Sequence, residues 1–194
     1  MRDLPPPDPT TPRRALGTIL VVDDSRTNLT VLGRRLGHLG YLTVLSDNGA
    51  EALDLIAARG FDLVLLDMVM PRLAGVQVLR ELRSNRDTID LPVIMLTGRS
   101  DPAAAVEALA AGADDHVAKP FDFDVLAARI ARTLARARRI AELKRSNANL
   151  DARIAARAVE LGEAKTQLAA TRADRQRLVA SIQALSDEVE RLSR

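Results

Sequence analysis

Between residues 18 and 138, short, mainly apolar runs alternate with stretches in which apolar residues recur every three or four positions. The runs occupy 19–22, 42–45, 63–66, 93–96 and 116–118. The intervals 27–38, 49–59, 75–85, 102–111 and 123–138 have helical spacing, with Leu29, Leu32 and Leu36 for example on one face. A strand that is apolar throughout is covered on both sides, and strict strand–helix alternation supplies those covers. The pattern therefore predicts a five-stranded parallel sheet, doubly wound in the flavodoxin-like manner, with its ligand site outside the carboxyl ends of the strands. Four of the runs stop at polar residues: Asp23 and Asp24 after the first, Asp67 after the third, Thr97 after the fourth and Lys119 after the fifth.

From residue 140 the period becomes seven. The a positions are Ile140, Asn147, Ile154, Leu161, Leu168, Arg175, Ile182 and Val189; the d positions are Leu143, Leu150, Arg157, Ala164, Thr171, Leu178, Leu185 and Leu192. Only Asn147, Arg157, Thr171 and Arg175 break the apolar seam, and no proline interrupts it, so a long α-helical coiled coil is predicted. Isoleucine or valine at a with leucine at d favours a parallel homodimer, in which a buried Asn147 sets the register. Fifty-five residues make a rod on the order of 80 Å long, loosened between residues 157 and 175 where the seam is weakest. The expected organisation is a disordered leader (1–17), a globular domain (18–138) and a dimerising helix (139–194) continuous with the last helix of the domain. Extended backward by one heptad, the a and d phases meet Thr133 and Arg136 as interruptions.

Composition narrows the function. The net charge is +2, with 17 basic and 18 acidic residues up to Arg138 and 11 and 8 beyond it, so neither part carries a concentrated positive field. The aromatic residues Phe61, Phe121, Phe123 and Tyr41 leave little for bases to stack on. Both facts argue against a nucleic-acid partner; the cluster Arg132, Arg136, Arg138 and Arg139 is the one local basic concentration. The absence of cysteine excludes disulfides, thiol catalysis and thiolate metal sites. No run approaches the roughly 18 apolar residues of a membrane span. The first 14 residues hold five prolines and no signal-peptide core, so a cytoplasmic protein is expected. Up to Arg138 every basic residue is arginine except Lys119, and a lone compact ammonium suits a point-charge contact to an anion.

Three carboxylates aimed at one place repel unless a cation holds them. Asp23, Asp24 and Asp67 thus imply a hard divalent ion, best Mg²⁺, which accepts a few carboxylates and leaves positions for water and phosphate oxygens. A carboxylate in such a setting can attack phosphorus and become an aspartyl phosphate. Mg²⁺, a hydroxyl donor and an ammonium neutralise the transferred group, and Thr97 and Lys119 have that chemistry.

The segments Leu20-Val21-Val22-Asp23-Asp24, Asp67-Met68-Val69-Met70-Pro71 with Gly75, Leu96-Thr97-Gly98, and Gly112-Ala113-Asp114-Asp115 with Lys119-Pro120-Phe121 resemble the receiver domain of two-component response regulators. The resemblance implies that Asp67 is the phosphoacceptor, serving a sensor histidine kinase or phosphotransfer protein. It implies that Asp24, Asp67 and the backbone carbonyl of Val69 bind Mg²⁺, with Asp23 acting largely through metal-bound water. It further implies phosphoryl contacts from Thr97 and Lys119 and a cis Lys119–Pro120 bond. In the family, an aromatic residue three before the lysine follows the threonine hydroxyl when the switch turns. Here that residue is His116, whose imidazole can take the aromatic part. Val69 has nothing to orient hydrolytic water and Arg99 is placed to cover the site, so a slowly decaying phosphoryl state is expected.

The predicted function is a phosphoswitch that is no enzyme beyond its own phosphorylation and dephosphorylation, and that passes the change through a dimeric coil to a partner or downstream domain. The alternative is the regulatory N-terminal part of a longer signalling enzyme, such as a cyclic-dinucleotide enzyme, a phosphatase or a kinase.

Overall fold

The computed structural model describes residues 16–98 and 102–192. The elements run β1 (Thr18–Val22), α1 (Arg26–His38), β2 (Leu42–Ser46), α2 (Gly49–Ala58), β3 (Leu63–Asp67), α3 (Gly75–Ser84), β4 (Val93–Thr97), α4 (Pro102–Ala110), β5 (Asp115–Ala118) and α5 (Phe123–Leu192). The strands form one sheet in the order β2-β1-β3-β4-β5, every neighbouring pair parallel. The predicted strand and helix segments are all present, with ends displaced by a residue or so.

Successive residues of a strand point to opposite faces, and the two cores follow from that alternation. Leu20, Val22, Val64, Leu66, Val93 and Met95 pack with Ile56 of α2, Val78, Leu79 and Leu82 of α3 and Ala108 of α4. Ile19, Val21, Leu63, Leu65, Ile94 and Leu96 pack on the other side with Leu29, Leu32 and Leu36 of α1 and Leu126, Ile130 and Leu134 of α5. Each fully buried Leu or Ile side chain contributes roughly 1.5–3 kcal/mol. β1, β3 and β4 are the inner strands and are buried almost throughout, whereas β2 is an edge, with Leu42 and Leu45 exposed.

Three of the helices have their first turns tied down by a side chain. Ser25 Oγ accepts from the Asn28 N–H (3.4 Å) at α1, and Asn48 Oδ1 accepts from the Glu51 N–H (2.9 Å) at α2. At α3, Gln77 Oε1 reaches back to accept from the Ala74 N–H (3.0 Å). Gly75 opens α3 against the back of Asp67: a Cβ there would lie 2.0 Å from the Asp67 carbonyl oxygen, so only glycine fits.

Two side-chain clips span long sequence distances. Arg83 on α3 donates to the carbonyls of Gly112 (2.8 Å) and Leu91 (2.9 Å) and to Asp114 (3.1 Å), which itself accepts from the Val93 N–H (2.9 Å). Asp115 at the start of β5 accepts from Arg129 (2.7 Å) and Arg132 (2.9 Å) of α5. The Arg138 guanidinium donates to the Leu16 carbonyl. Two members of the basic cluster noted in the sequence are therefore engaged within the fold.

Most of the expected leader lies outside the described residues. Its last two, Leu16 and Gly17, are paired with the domain, through Leu16 N–H to Gly40 O (3.0 Å) and Leu42 N–H to Gly17 O (2.9 Å). Thr133, predicted to interrupt a backward extension of the coil seam, belongs to the domain. It is buried with its neighbour Leu134, so this turn of α5 is spent on the domain core.

The chain divides into two compact units, residues 1–139 and 140–194. In the second, helical to Leu192, the heptad residues Ile140, Leu150, Ile154, Leu168, Leu178 and Leu185 are 41–66% exposed. Asn147 is exposed on the same stretch. Among the described residues no helix is long and apolar enough to cross a membrane.

Candidate functional site

Parallel pairing brings the carboxyl ends of the strands side by side and with them the polar residues that close the apolar runs. Asp23 follows β1, its N–H donating to Ser46 O of β2 (3.2 Å); Asp67 and Thr97 end β3 and β4; and the Lys119 N–H, just past β5, donates to Thr97 O (2.7 Å). One carboxylate oxygen each from Asp23, Asp24 and Asp67 lies within 4.8 Å of the others. Asp23 is wholly buried and Asp67 nearly so, while Asp24 is exposed.

Lys119 sits between two of these acids. Its Nζ is 2.7 Å from Asp23 Oδ2 and 2.9 Å from Asp67 Oδ2. Burial disfavours the ammonium, but hydrogen bonds to Asp23 and Asp67 and the charges of both outweigh that, holding Lys119 above its ordinary value. Burial pushes the Asp67 carboxyl up; the Lys119 bond and charge and the Val69 N–H pull it down without cancelling the shift, and the Asp23 charge adds to the rise. The rise at Asp67 comes chiefly from burial, against the pull of Lys119, whereas the rise at Lys119 comes from its two carboxylate partners. Three carboxylates and one ammonium leave the cluster negative, and the donor set is all oxygen. That chemistry fits a hard divalent cation of the Mg²⁺ type.

Asp23 has further partners. The Ser25 N–H donates to its Oδ1 (2.9 Å), and Asn28 Nδ2 lies 3.1 Å from Oδ1 and 3.2 Å from Oδ2. Sequence reasoning overlooked Asn28. The available signal was its place three residues after the Ser25 cap, on the turn of α1 that faces the strand end. Asn28 also lines a cavity of about 520 Å³ together with Asp23, Arg35, Lys119 and Phe123.

Thr97 is buried at the end of β4, one residue past Leu96, which pairs with Asp67. His116 pairs with Met95 on β4 and is half-buried; among the described residues its Nδ1 is the buried side-chain atom without a hydrogen-bond partner. Val69 is 72% exposed and offers no polar side chain. The Lys119–Pro120 bond is cis. Arg99, expected over the site, lies outside the described residues. Asp23, Asp24, Asp67 and Lys119 thus form one cluster with Thr97 on the adjoining strand end; His116 stands further back along β5, and Asn147 belongs to the second unit.

The family model for the response regulator receiver domain matches residues 19–131. The response regulator MprA of Mycobacterium sp. (strain KMS) is 48% identical over 118 residues, which are 61% of this chain and 50% of that protein. MprA of Mycobacterium avium (strain 104) is 47% identical over 118 residues, covering 61% and 51%. The chain therefore spans about half the length of the curated relatives it matches. Among solved structures, the receiver domain of a signal transduction histidine kinase from Syntrophus aciditrophicus superposes with a TM-score of 0.58 at 39% identity, covering 61% of this chain and 90% of that one. A putative response regulator from Chloroflexus aurantiacus gives 0.60 at 34% identity, covering 61% and 98%. With the match spanning more than half of its length, this chain belongs to the response regulator receiver domain family.

Proposed function

We propose that the chain is a phosphoswitch in which Asp67 accepts a phosphoryl group from a sensor histidine kinase or phosphotransfer protein. A carboxylate oxygen of Asp67 attacks phosphorus, the bond from phosphorus to the donor imidazole nitrogen breaks, and its electron pair stays with that nitrogen. Asp24, Asp67 and the Val69 carbonyl, with Asp23 beside them, are the residues that would hold Mg²⁺, which when bound supplies charge neutralisation for the phosphoryl oxygens. Lys119 already touches the Asp67 carboxylate and has only to follow the new charge. Thr97, at the neighbouring strand end, donates its hydroxyl to the same group. His116 then turns toward the space behind the Thr97 hydroxyl, where its orphaned Nδ1 can find a partner.

The observation that carries this reading is the Lys119 ammonium held at 2.7 and 2.9 Å between Asp23 and Asp67, with Asp24 completing the acidic group. Val69 leaves no polar side chain beside the acceptor, which supports slow hydrolysis of the acyl phosphate.

For output, the exposed heptad stripe from Ile140 to Val189 supports a parallel homodimeric coil with Asn147 paired across the axis. Phosphorylation of Asp67 changes that dimer, and the change is passed to a partner or a downstream domain. The protein acts in the cytoplasm, without nucleic acid as its target.

The test is incubation with acetyl phosphate and Mg²⁺, followed by phosphate-affinity electrophoresis and light scattering. The parent takes label and Asp67→Asn does not. Lys119→Ala labels at least tenfold more slowly, and label persists for minutes. Absence of label at Asp67 from any donor overturns the reading.

A further inference from the structure

Asp23 has no exposed surface, so its charge depends wholly on the donors around it. One of them, Lys119, is shared with Asp67 at 2.9 Å. Under the phosphoswitch reading, on which this inference rests, Lys119 must be free to follow a phosphoryl group arriving on Asp67. Asp23 then loses its only cationic partner among the contacts at 2.7–3.2 Å. With the Ser25 N–H as its one remaining donor, such a buried carboxylate would turn or reach for another cation, and its orientation toward the ion site would be lost; a further contact prevents this.

The remaining contact comes from Asn28. Its amide nitrogen lies 3.1 and 3.2 Å from the two oxygens of Asp23, straddling the carboxylate. The residue is itself fixed, because its N–H donates to the Ser25 cap while the Ser25 N–H donates to Asp23, so cap, acid and amide share one turn. A neutral donor has a further advantage here. It holds the carboxylate without adding positive charge that would compete with a divalent cation. An arginine or lysine in its place would hold Asp23 equally well and discharge the cluster.

We propose that Asn28 is a positioning residue of the phosphoacceptor site, keeping the Asp23 carboxylate aligned toward the divalent cation while Lys119 moves between Asp23 and the phosphoryl group. Partners of this kind typically influence metal affinity by 10–100-fold.

The test uses the full chain and three variants. Asn28→Leu keeps size and neutrality and removes the donor; Asn28→Gln returns an amide; Asn28→Lys returns a donor with charge. Mg²⁺ binding is measured by calorimetry without phosphodonor, and thermal midpoints are recorded without metal. Asn28→Leu is expected to bind Mg²⁺ about tenfold more weakly and to raise by a similar factor the Mg²⁺ concentration giving half-maximal Asp67 labelling. Its metal-free midpoint should fall by a few degrees, as loss of a donor to a buried carboxylate requires, while the variant stays folded, and Asn28→Gln should restore it. Asn28→Gln should recover most of the affinity and Asn28→Lys should not. An Asn28→Leu affinity within twofold of a parent that binds and labels normally overturns the role of Asn28 and leaves the phosphoswitch reading standing. An Asn28→Gln affinity as low as that of Asn28→Leu, or Asn28→Lys binding like the parent, also overturns it. A parent that binds no divalent cation removes both.

Discussion

Gly75→Ala adds a single methyl, yet the structure assigns it a large effect. The new Cβ would lie 2.0 Å from the Asp67 carbonyl oxygen, 3.0 Å from its carbonyl carbon and 3.1 Å from Met68 Cα. An ordinary contact begins near 3.4 Å, so α3 and the segment after β3 must separate by about 1.4 Å, and the obstructing atoms are backbone with no rotamer to change. The Gly75 N–H donates to Met68 O at 3.0 Å, a bond that such a displacement breaks or stretches. Overpacking against adaptable side chains costs about 1–3 kcal/mol. Against backbone the upper end applies, and about 3 kcal/mol lowers the midpoint of a domain this size by roughly 10–15 °C. The displaced segment carries Asp67 and Val69, so Mg²⁺ affinity should fall together with stability. Urea unfolding of the variant and parent, with Mg²⁺ titration of the folded proteins, measures both. A variant within about 0.5 kcal/mol of the parent and with parental Mg²⁺ affinity would refute the argument.

Three other expectations follow from contacts away from the site. At Asp115 burial opposes ionisation, but the Arg129 bond, the His116 N–H and the charges of Arg129 and Arg132 outweigh it, so the folded-state value lies below the ordinary 3.8. The stabilisation is therefore present above that value and lost as pH falls through the lower folded one. Asp115→Asn should cost about 1–2 kcal/mol at pH 7, discounted for the exposure of both arginines, and the gap from the parent should close in acid unfolding curves below about pH 3.8. Arg83→Ala strips donors from Gly112 O, Leu91 O and Asp114 at once and should lower stability by about 2–3 kcal/mol in denaturant titration; a loss below about 0.5 kcal/mol would count against the clip. Leu185→Asp places a charge at a d position and should convert a dimer to a monomer by light scattering, whereas an unchanged mass would remove the coil from the account.

What could be foreseen from the sequence was whatever the local period encodes. Strands β1, β3 and β4 are apolar at nearly every position because both faces are covered, and such runs announce themselves. The polar residues closing them had to converge once the strands were parallel, so Asp23, Asp67, Thr97 and Lys119 were legible as one site. Asn28 was legible only through its place three residues after the Ser25 cap, because helical periodicity alone does not show that a first-turn amide turns back on the preceding acid. The clips from Arg83 to Gly112 and Asp114 and from Asp115 to Arg129 and Arg132 join residues 14–31 positions apart, a separation that no periodicity reports. The burial of Thr133 was equally silent in the sequence. A residue shared between two helical phases can serve either surface, and here the domain core takes it. The resemblance supplied Gly75 as part of a motif; the reason for it, a carbonyl 2.0 Å from the missing methyl, exists only in three dimensions.

By lodging between Asp23 and Asp67, Lys119 gives the protein an internal counter-ion. Small zinc domains unfold when stripped because the metal is part of their core. Here the scaffold carries its own substitute, and a chelator would remove only the linkage contribution, about 1.4 kcal/mol at an ion concentration ten times the dissociation constant. Under the proposed phosphoswitch, metal supply would govern the chemistry and leave the architecture intact, so folded, unlabelled molecules would persist while the ion is scarce and respond when it returns.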